Sequence, residues 1–157
     1  LAHASLSKGR VLFQKNCANC HRLFGTGGGI GPDITGAQRS NLDYLLENIV
    51  DPSAVVNRDY RLAVVAMADG RTFNGIVIEQ TDRTITLQTA TDRVTLDRQE
   101  IDEQVASPLS LMPDGMIQKL SQEEIRDLFS YLQSPTQVNW PAGFDPAALP
   151  MTTTQSE

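Results

Sequence analysis

The sequence predicts an α+β protein in which helices near both ends of the chain flank a middle region of strands. Apolar residues recur at helical spacing near 5–16, 42–49 and 122–132, and they follow a period of two along 61–107. The length of 157 residues suits one ordinary domain or two small ones that share a core. These observations together favour a helical core with an inserted small antiparallel sheet.

Composition excludes several classes of protein. The chain carries 13 Lys and Arg against 19 Asp and Glu, a net charge of -6, which argues against a nucleic-acid partner. No stretch approaches the ~20 apolar residues that a membrane helix needs, so we expect no membrane span in this chain. Because the sequence starts at Leu1 without a charged leader, we expect a piece of a longer protein rather than a processed mature chain.

The first helix leads directly into the cysteines. Ser5 or Ser7 can cap it, and its apolar residues run to about Asn16. Cys17 and Cys20 with the adjacent His21 then form a C-x-x-C-H motif, the attachment signature of c-type haem. Two thiols at this spacing can add to the two vinyl groups of one haem, and the imidazole can become the proximal iron ligand. We therefore predict one covalent haem c.

Other uses of the two cysteines are weaker. A thioredoxin-like dithiol would follow a buried strand, whereas a helix precedes Cys17 and a glycine loop follows His21. A zinc site would need a fourth ligand, and His3 is the only other histidine. A disulfide between Cys17 and Cys20 would close too small a loop to stabilise the fold much.

The last helix has clear start and stop signals. A capping box begins at Ser121, apolar residues follow at helical spacing, and Ser134 precedes a proline stop. On the first and last helices, one glycine, one leucine and two aromatic residues, Gly9, Leu128, Phe13 and Tyr131, resemble the crossed-helix contact of class I cytochromes c. In that family the glycine lets the two helices cross closely, and the aromatic residues fill the contact beside the haem.

The run Gly-Pro-Asp-Ile-Thr-Gly at 31–36 resembles the loop that follows the haem motif in class I cytochromes c. In the family the proline carbonyl accepts a hydrogen bond from the proximal histidine. That role is expected for Pro32 here, where it would orient His21 and tune the iron.

The strand region is longer than a minimal cytochrome c requires. It begins with an apolar run at 61–68, followed by turn signals at 69–70, 81–82 and 91–92. Ile76 and Ile78 are expected on one face, as are the apolar pairs of the next two strands. Four or five short antiparallel strands should form a curled sheet or SH3-like barrel before the distal ligand loop.

A methionine is expected as the distal iron ligand. Met112 precedes Pro113 in a loop before the last helix, which is where class I cytochromes c place this ligand, and the proline restricts its backbone. Met116 is a weaker candidate for the distal ligand, whereas Met67 is expected in the core and Met151 lies in the tail. The remaining alternatives are His3 as the second axial ligand or an open sixth position on the iron.

Four segments taken in order narrow the resemblance further: 48–56, 69–71, 74–77 and 110–115. Together with the haem motif they resemble the haem-binding cytochrome c domain of planctomycetes and verrucomicrobia. That family implies an extracytoplasmic domain, periplasmic or comparable, that accepts electrons from a fused or neighbouring dehydrogenase domain. The expected organisation is a cytochrome c core of 5–60 and 108–134, an insertion of 61–107, and an irregular tail of 135–157 that packs through Trp140.

Single-electron transfer, without enzymatic turnover by this domain, is therefore the first functional hypothesis. The second is a haem with an open or weakly ligated sixth position for gas sensing or small-molecule chemistry. The third is an interaction module in which the strand insertion supplies a homodimer or partner surface.

Overall fold

The computed structural model describes residues 3–149. Its helices are α1 (Leu6–Asn16), α2 (Leu42–Val50) and α3 (Gln122–Gln133). Its strands are β1 (Arg22–Leu23), β2 (Thr26–Gly27), β3 (Arg61–Met67), β4 (Thr72–Gln80), β5 (Thr84–Gln88), β6 (Arg93–Asp97) and β7 (Ile101–Ser110). The chain divides into two compact units. Of the described residues, the helical unit contains 3–50 and 114–149, and the sheet unit contains 51–113.

Capping residues set the ends of α1 and α3. Ser5 is the N-cap of α1, and its side chain accepts a hydrogen bond from the Lys8 backbone N–H, which decides between the two expected serines. The capping box of α3 is confirmed: Glu124 accepts from the Ser121 N–H at 2.8 Å, and the Ser121 hydroxyl accepts from the Glu124 N–H at 3.2 Å. The helix ends at the C-cap Ser134, as the proline stop predicts.

The core of the helical unit lies mainly between α1 and α3. Its buried apolar residues are Leu12, Phe13, Ala18, Leu23, Leu45, Leu128, Phe129, Tyr131 and Leu132. The short β1–β2 hairpin contributes to this core through Leu23, which is fully buried. The sequence predicted only a glycine loop here, because two-residue strands are too short to show alternation.

The sheet unit contains one antiparallel sheet with the strand order β6-β5-β4-β3-β7. Strands β3 to β6 follow one another through hairpins. The last strand, β7, pairs with β3 along the edge of β3 that faces away from β4. The count agrees with the expected four or five strands. In the part of the chain described, β6 and β7 are the edge strands.

The core of the sheet unit is aliphatic. It consists of Val65, Met67, Ile85, Leu87 and Leu96, so Met67 is a core residue as expected. On β4, Phe73 and Val77 pack against this core. Ile76 is buried, but Ile78 is 46% exposed, because the register with β5 shifts by one residue between Val77 and Glu79.

The unit boundaries of the structure differ from those that the sequence suggested. β7 continues to Ser110, whose backbone N–H donates to the Ser53 hydroxyl at 3.1 Å. Residues 51–60 and 108–113 therefore belong to the sheet unit, through this contact and through the pairing of β7 with β3. Residues 135–149 belong to the helical unit instead of forming a separate tail.

The segment after α3 packs against α1 through an aromatic pair. The Arg10 guanidinium lies 3.8 Å from the ring centroid of Trp140. Trp140 in turn stacks on Phe144, with 5.2 Å between the ring centroids. The expected packing through Trp140 is therefore present, while the end of the tail lies outside the described residues.

Candidate haem-attachment site

The C-x-x-C-H motif forms one helical turn directly after α1. Cys17 is the C-cap of α1, and its backbone carbonyl accepts hydrogen bonds from the N–H groups of Cys20 at 3.1 Å and His21 at 2.9 Å. Residues three and four positions apart lie on the same side of such a turn. The backbone of this turn therefore brings the two thiols and the imidazole to one side.

Both cysteines are free thiols and form no disulfide. Burial, with a smaller contribution from the nearby Cys20, raises the pKa of Cys17 to about 12. Burial also raises the pKa of Cys20. Redox-active dithiols need a lowered thiol pKa, so this environment disfavours the thioredoxin-like alternative.

A backbone carbonyl determines the tautomer of His21. The Nδ1 atom of His21 lies 3.0 Å from the carbonyl oxygen of Pro32. Because a carbonyl can only accept, Nδ1–H must be the donor, and Nε2 of a neutral ring keeps its lone pair. The ring thus has a fixed orientation and one nitrogen available for a metal.

Gly31 packs against the His21 ring. A Cβ atom built on Gly31 would lie 2.8 Å from Cε1 and 3.0 Å from Nδ1 of the imidazole. The Gly31 backbone N–H also donates to the Cys20 carbonyl at 2.9 Å. A side chain at this position would push the ring away from Pro32, which explains the glycine that precedes the proline.

The four helix residues that the sequence singled out meet in one contact. A Cβ on Gly9 would lie 2.0 Å from the backbone carbonyl of Asp127 on α3, so only glycine permits this approach of the helices. The rings of Phe13 and Tyr131 are 5.8 Å apart and tilted by 56°. Leu128 is 3% exposed in the same core.

Asp127 is a residue of this contact that sequence reasoning missed. Its carboxylate is buried and accepts a hydrogen bond from the Ser5 backbone N–H at 2.6 Å, next to the start of α1. A negative charge there stabilises the helix N-terminus. An acidic residue inside an amphipathic helix usually faces solvent, so only the neighbouring apolar spacing could have hinted at its burial.

The distal ligand candidates are spread over both units. Met112 belongs to the sheet unit, is partly buried, and donates its backbone N–H to the Ser110 hydroxyl at 3.1 Å. Met116 lies in the helical unit at the start of a short 3₁₀ turn. Met67 is buried in the sheet core, and His3 is exposed with a φ of 67°. Met151 lies outside the described residues.

A metal site made of protein ligands alone is absent from residues 3–149, where no three His, Cys, Asp or Glu side chains form a cluster that could hold an ion. The donor set present, two free thiols and an oriented imidazole, fits a covalently attached haem better than zinc. None of the helices between residues 3 and 149 is long and apolar enough to cross a membrane.

Comparison with known proteins agrees with this chemistry. The family model for cytochrome c matches residues 6–136, which include the haem motif, both long helices and the whole sheet. A search of curated proteins gave no match. Members of the matched family bind covalent c-type haem and transfer electrons, and Cys17 and Cys20 fit its attachment motif. The chain belongs to the cytochrome c family.

Proposed function

We propose that this domain is a single-electron carrier whose haem iron is held by His21 on one side and Met112 on the other. The observation that carries the proposal is the hydrogen bond from His21 Nδ1 to the Pro32 carbonyl, 3.0 Å long. In the neutral imidazole this bond places the proton on Nδ1 and keeps the lone pair of Nε2 free and oriented for a metal. When bound, the haem supplies a one-electron Fe(III)/Fe(II) couple.

Each residue of the site has a defined task in this proposal. Cys17 and Cys20 hold the porphyrin by thioether bonds, so the group stays attached through many electron-transfer cycles. His21 donates through Nε2, while Pro32 retains the proton on Nδ1 and makes the imidazole a stronger donor. The contact of Gly9 and Phe13 with Leu128 and Tyr131 closes the helical core and keeps water out.

Met112 is proposed as the distal ligand because of its local backbone. Pro113 restricts it to an extended conformation, and the Ser110 hydroxyl accepts its N–H. A thioether opposite an imidazole favours Fe(II) relative to two imidazoles and raises the reduction potential. Two axial ligands from the protein also deny substrates access to the iron.

The proposed partner is a dehydrogenase domain, fused or neighbouring, that delivers electrons outside the cytoplasm. The support is the resemblance of four segments to the planctomycete and verrucomicrobial haem-binding domain. A homodimer through the sheet stays a prediction, for which the measured mass in solution is the test. The outer edge of β7 offers hydrogen-bonding groups, but Pro108 and the acidic Asp102 and Glu103 work against strand addition there.

Absorption spectra of the native protein and of Met112→Ala test the axial ligands, with Met116→Ala as the matched control. We expect the native ferric protein to show the weak far-red band of sulfur-ligated haem and its ferrous form to exclude carbon monoxide. Met112→Ala should lose the band and bind carbon monoxide, whereas Met116→Ala should behave as native. A native protein that binds carbon monoxide readily would favour the sensor or small-molecule alternative instead.

A further inference from the structure

Arg39 is a buried cation for which the sequence suggested no role. Its side chain is 7% exposed, and in the described chain it forms no ion pair with a carboxylate. A guanidinium without partners would be costly to bury. Arg39 is satisfied instead by backbone carbonyls from two separate segments of the helical unit.

The first segment is the end of α3. The Nη1 atom of Arg39 donates to the carbonyls of Leu132 and Ser134, the latter at 2.8 Å. Carbonyls at a helix C-terminus lack partners within the helix and carry partial negative charge, so a cation there satisfies and stabilises them. Gln133 adds a neighbouring link by donating to the Ser40 carbonyl at 3.1 Å.

The second segment is the loop that contains Pro32. Nε and Nη2 of Arg39 donate to the carbonyl of Thr35 at 3.3 and 3.1 Å. The Thr35 hydroxyl accepts from the Phe24 N–H at 2.9 Å, and the Ile34 N–H donates to the Arg22 carbonyl at 2.9 Å. Residues 32–35 are thereby held against the hairpin that directly follows His21.

The Arg39 side chain also contacts that hairpin. Its guanidinium carbon lies 4.8 Å from the ring centroid of Phe24, a cation–π distance. Phe24 has a φ of 51°, a backbone conformation that is uncommon for a residue other than glycine. Its ring meets Tyr131 edge-on, with 6.4 Å between centroids. Arg39 thus contacts the hairpin, the proline loop and the end of α3 together.

We propose that Arg39 is a positioning residue for the iron: it clamps the proline loop to the end of α3 and so fixes the carbonyl that accepts the His21 Nδ1 proton. This inference rests on the proposed role of His21 as the proximal ligand. A firmly held acceptor strengthens the hydrogen bond from Nδ1 and makes the imidazole a better donor to Fe(III). Loosening the clamp should therefore weaken that bond and raise the reduction potential.

The test is Arg39→Lys in the haem-loaded protein. Lysine keeps the positive charge but loses the planar fork that reaches both segments, so a changed potential cannot be attributed to a lost charge. Proton NMR of the ferric protein follows exchange of the His21 Nδ1 proton with solvent. We expect exchange on the order of tenfold faster, the size of one lost hydrogen bond, together with an upward shift of the potential.

The matched control is Arg10→Lys. Arg10 also links secondary-structure elements of the helical unit, donating to the Val138 carbonyl and covering Trp140, but it does not contact residues 32–35. It should destabilise the protein and leave the exchange rate and the potential as in the native protein. If Arg39→Lys behaves like Arg10→Lys, Arg39 is a structural residue only and the inference is wrong.

Two other results would also decide the role of Arg39. If Arg39→Lys does not accumulate, Thr35→Val decides, because it removes the hydroxyl that accepts from the Phe24 N–H and so loosens the residue whose backbone carbonyl Arg39 holds. The same shifts, of smaller size, are expected, and their absence overturns the inference. If the native His21 ring shows no iron-induced shifts at all, the proposed function itself fails, which is distinguishable from an intact native signal that Arg39→Lys leaves unchanged.

Discussion

The helical unit and the sheet unit differ in how they treat buried polar groups. The helical unit buries three polar or charged residues: Arg39, Asp127 and Ser134. The sheet unit buries one polar residue, Gln88. The sheet satisfies its backbone through regular pairing, so its core can be almost purely aliphatic. The helical unit contains an irregular loop around the haem motif, whose carbonyls and N–H groups need side-chain partners.

This contrast predicts different consequences of damage. A cavity in an aliphatic sheet core should lower the free energy of unfolding and little else. A cavity or a lost hydrogen bond in the helical unit should also change the haem spectrum, because the same contacts hold the histidine and its loop.

The largest effect is expected from leucine truncations in the two cores. Leu87→Ala in β5 and Leu128→Ala in α3 remove side chains of equal size that are 0% and 3% exposed. Each should lower the free energy of unfolding by about 2–5 kcal/mol, measured by denaturant titration. Only Leu128→Ala should alter the visible spectrum of the haem. A spectral change of the same size in Leu87→Ala would contradict the comparison.

Glycine substitutions give a second matched pair. Gly9→Ala places a Cβ 2.0 Å from the Asp127 carbonyl oxygen. Because that oxygen belongs to the backbone of a helix, it cannot easily move away, and the substitution should lower the free energy of unfolding by about 1–3 kcal/mol. Gly75→Ala meets the Gln88 carbonyl at 2.8 Å and should cost less. Thermal unfolding measures the cost of each substitution. Only Gly9→Ala should also change the visible absorption spectrum of the haem. Equal costs would show that the α1–α3 approach can relax.

Trp140→Ala tests whether the segment after α3 contributes to the helical unit. It removes the cation–π contact with Arg10 and the stacking on Phe144. This half-buried contact is worth about 0.5–2 kcal/mol, and its loss should lower the midpoint in denaturant titration. Phe73→Leu in the sheet unit serves as the comparison, since it removes the ring that Arg71 contacts and leaves the segment after α3 unchanged. An unchanged midpoint for Trp140→Ala would mean that the segment adds no stability.

The smallest effect concerns acid stability. Hydrogen bonds from Ser121 lower the pKa of Glu124 in the helical unit, and hydrogen bonds from Arg71 lower the pKa of Asp69 in a turn of the sheet unit. A lowered folded-state pKa stabilises the protein above the unfolded value of about 4, and the gain is lost as the pH falls through the folded value. Glu124→Gln and Asp69→Asn should each flatten the acid limb of the stability profile. A steeper acid limb in either variant would mean that the carboxylate does not stabilise the folded protein, which contradicts this prediction.

Several parts of the fold and site were predictable because their signals are local. The capping box at Ser121 and the turn at Gly70 depend on residues a few positions apart. The C-x-x-C-H motif is equally local, and the resemblance of 31–36 to a known loop predicted the contact of His21 with Pro32.

Other parts had no such signal. β7 contains Pro108 and is mostly exposed, so it lacks the alternation that marks a half-buried strand. The burial of Asp127 and Arg39 depends on partners 122 and 93 positions away in the sequence, Ser5 and Leu132. Spacing within one segment carries no information about such partners.

The amino-acid sequence by itself determined the haem chemistry of this protein, because two thiols and an imidazole at fixed spacing must emerge from one turn of backbone. It also determined the main helices and hairpins, whose caps, turns and apolar periods are local. Only the tertiary structure decided which carbonyls satisfy Arg39, how closely α1 approaches α3 at Gly9, and where one unit ends and the other begins. These features depend on burial, and burial is created only when distant segments pack together.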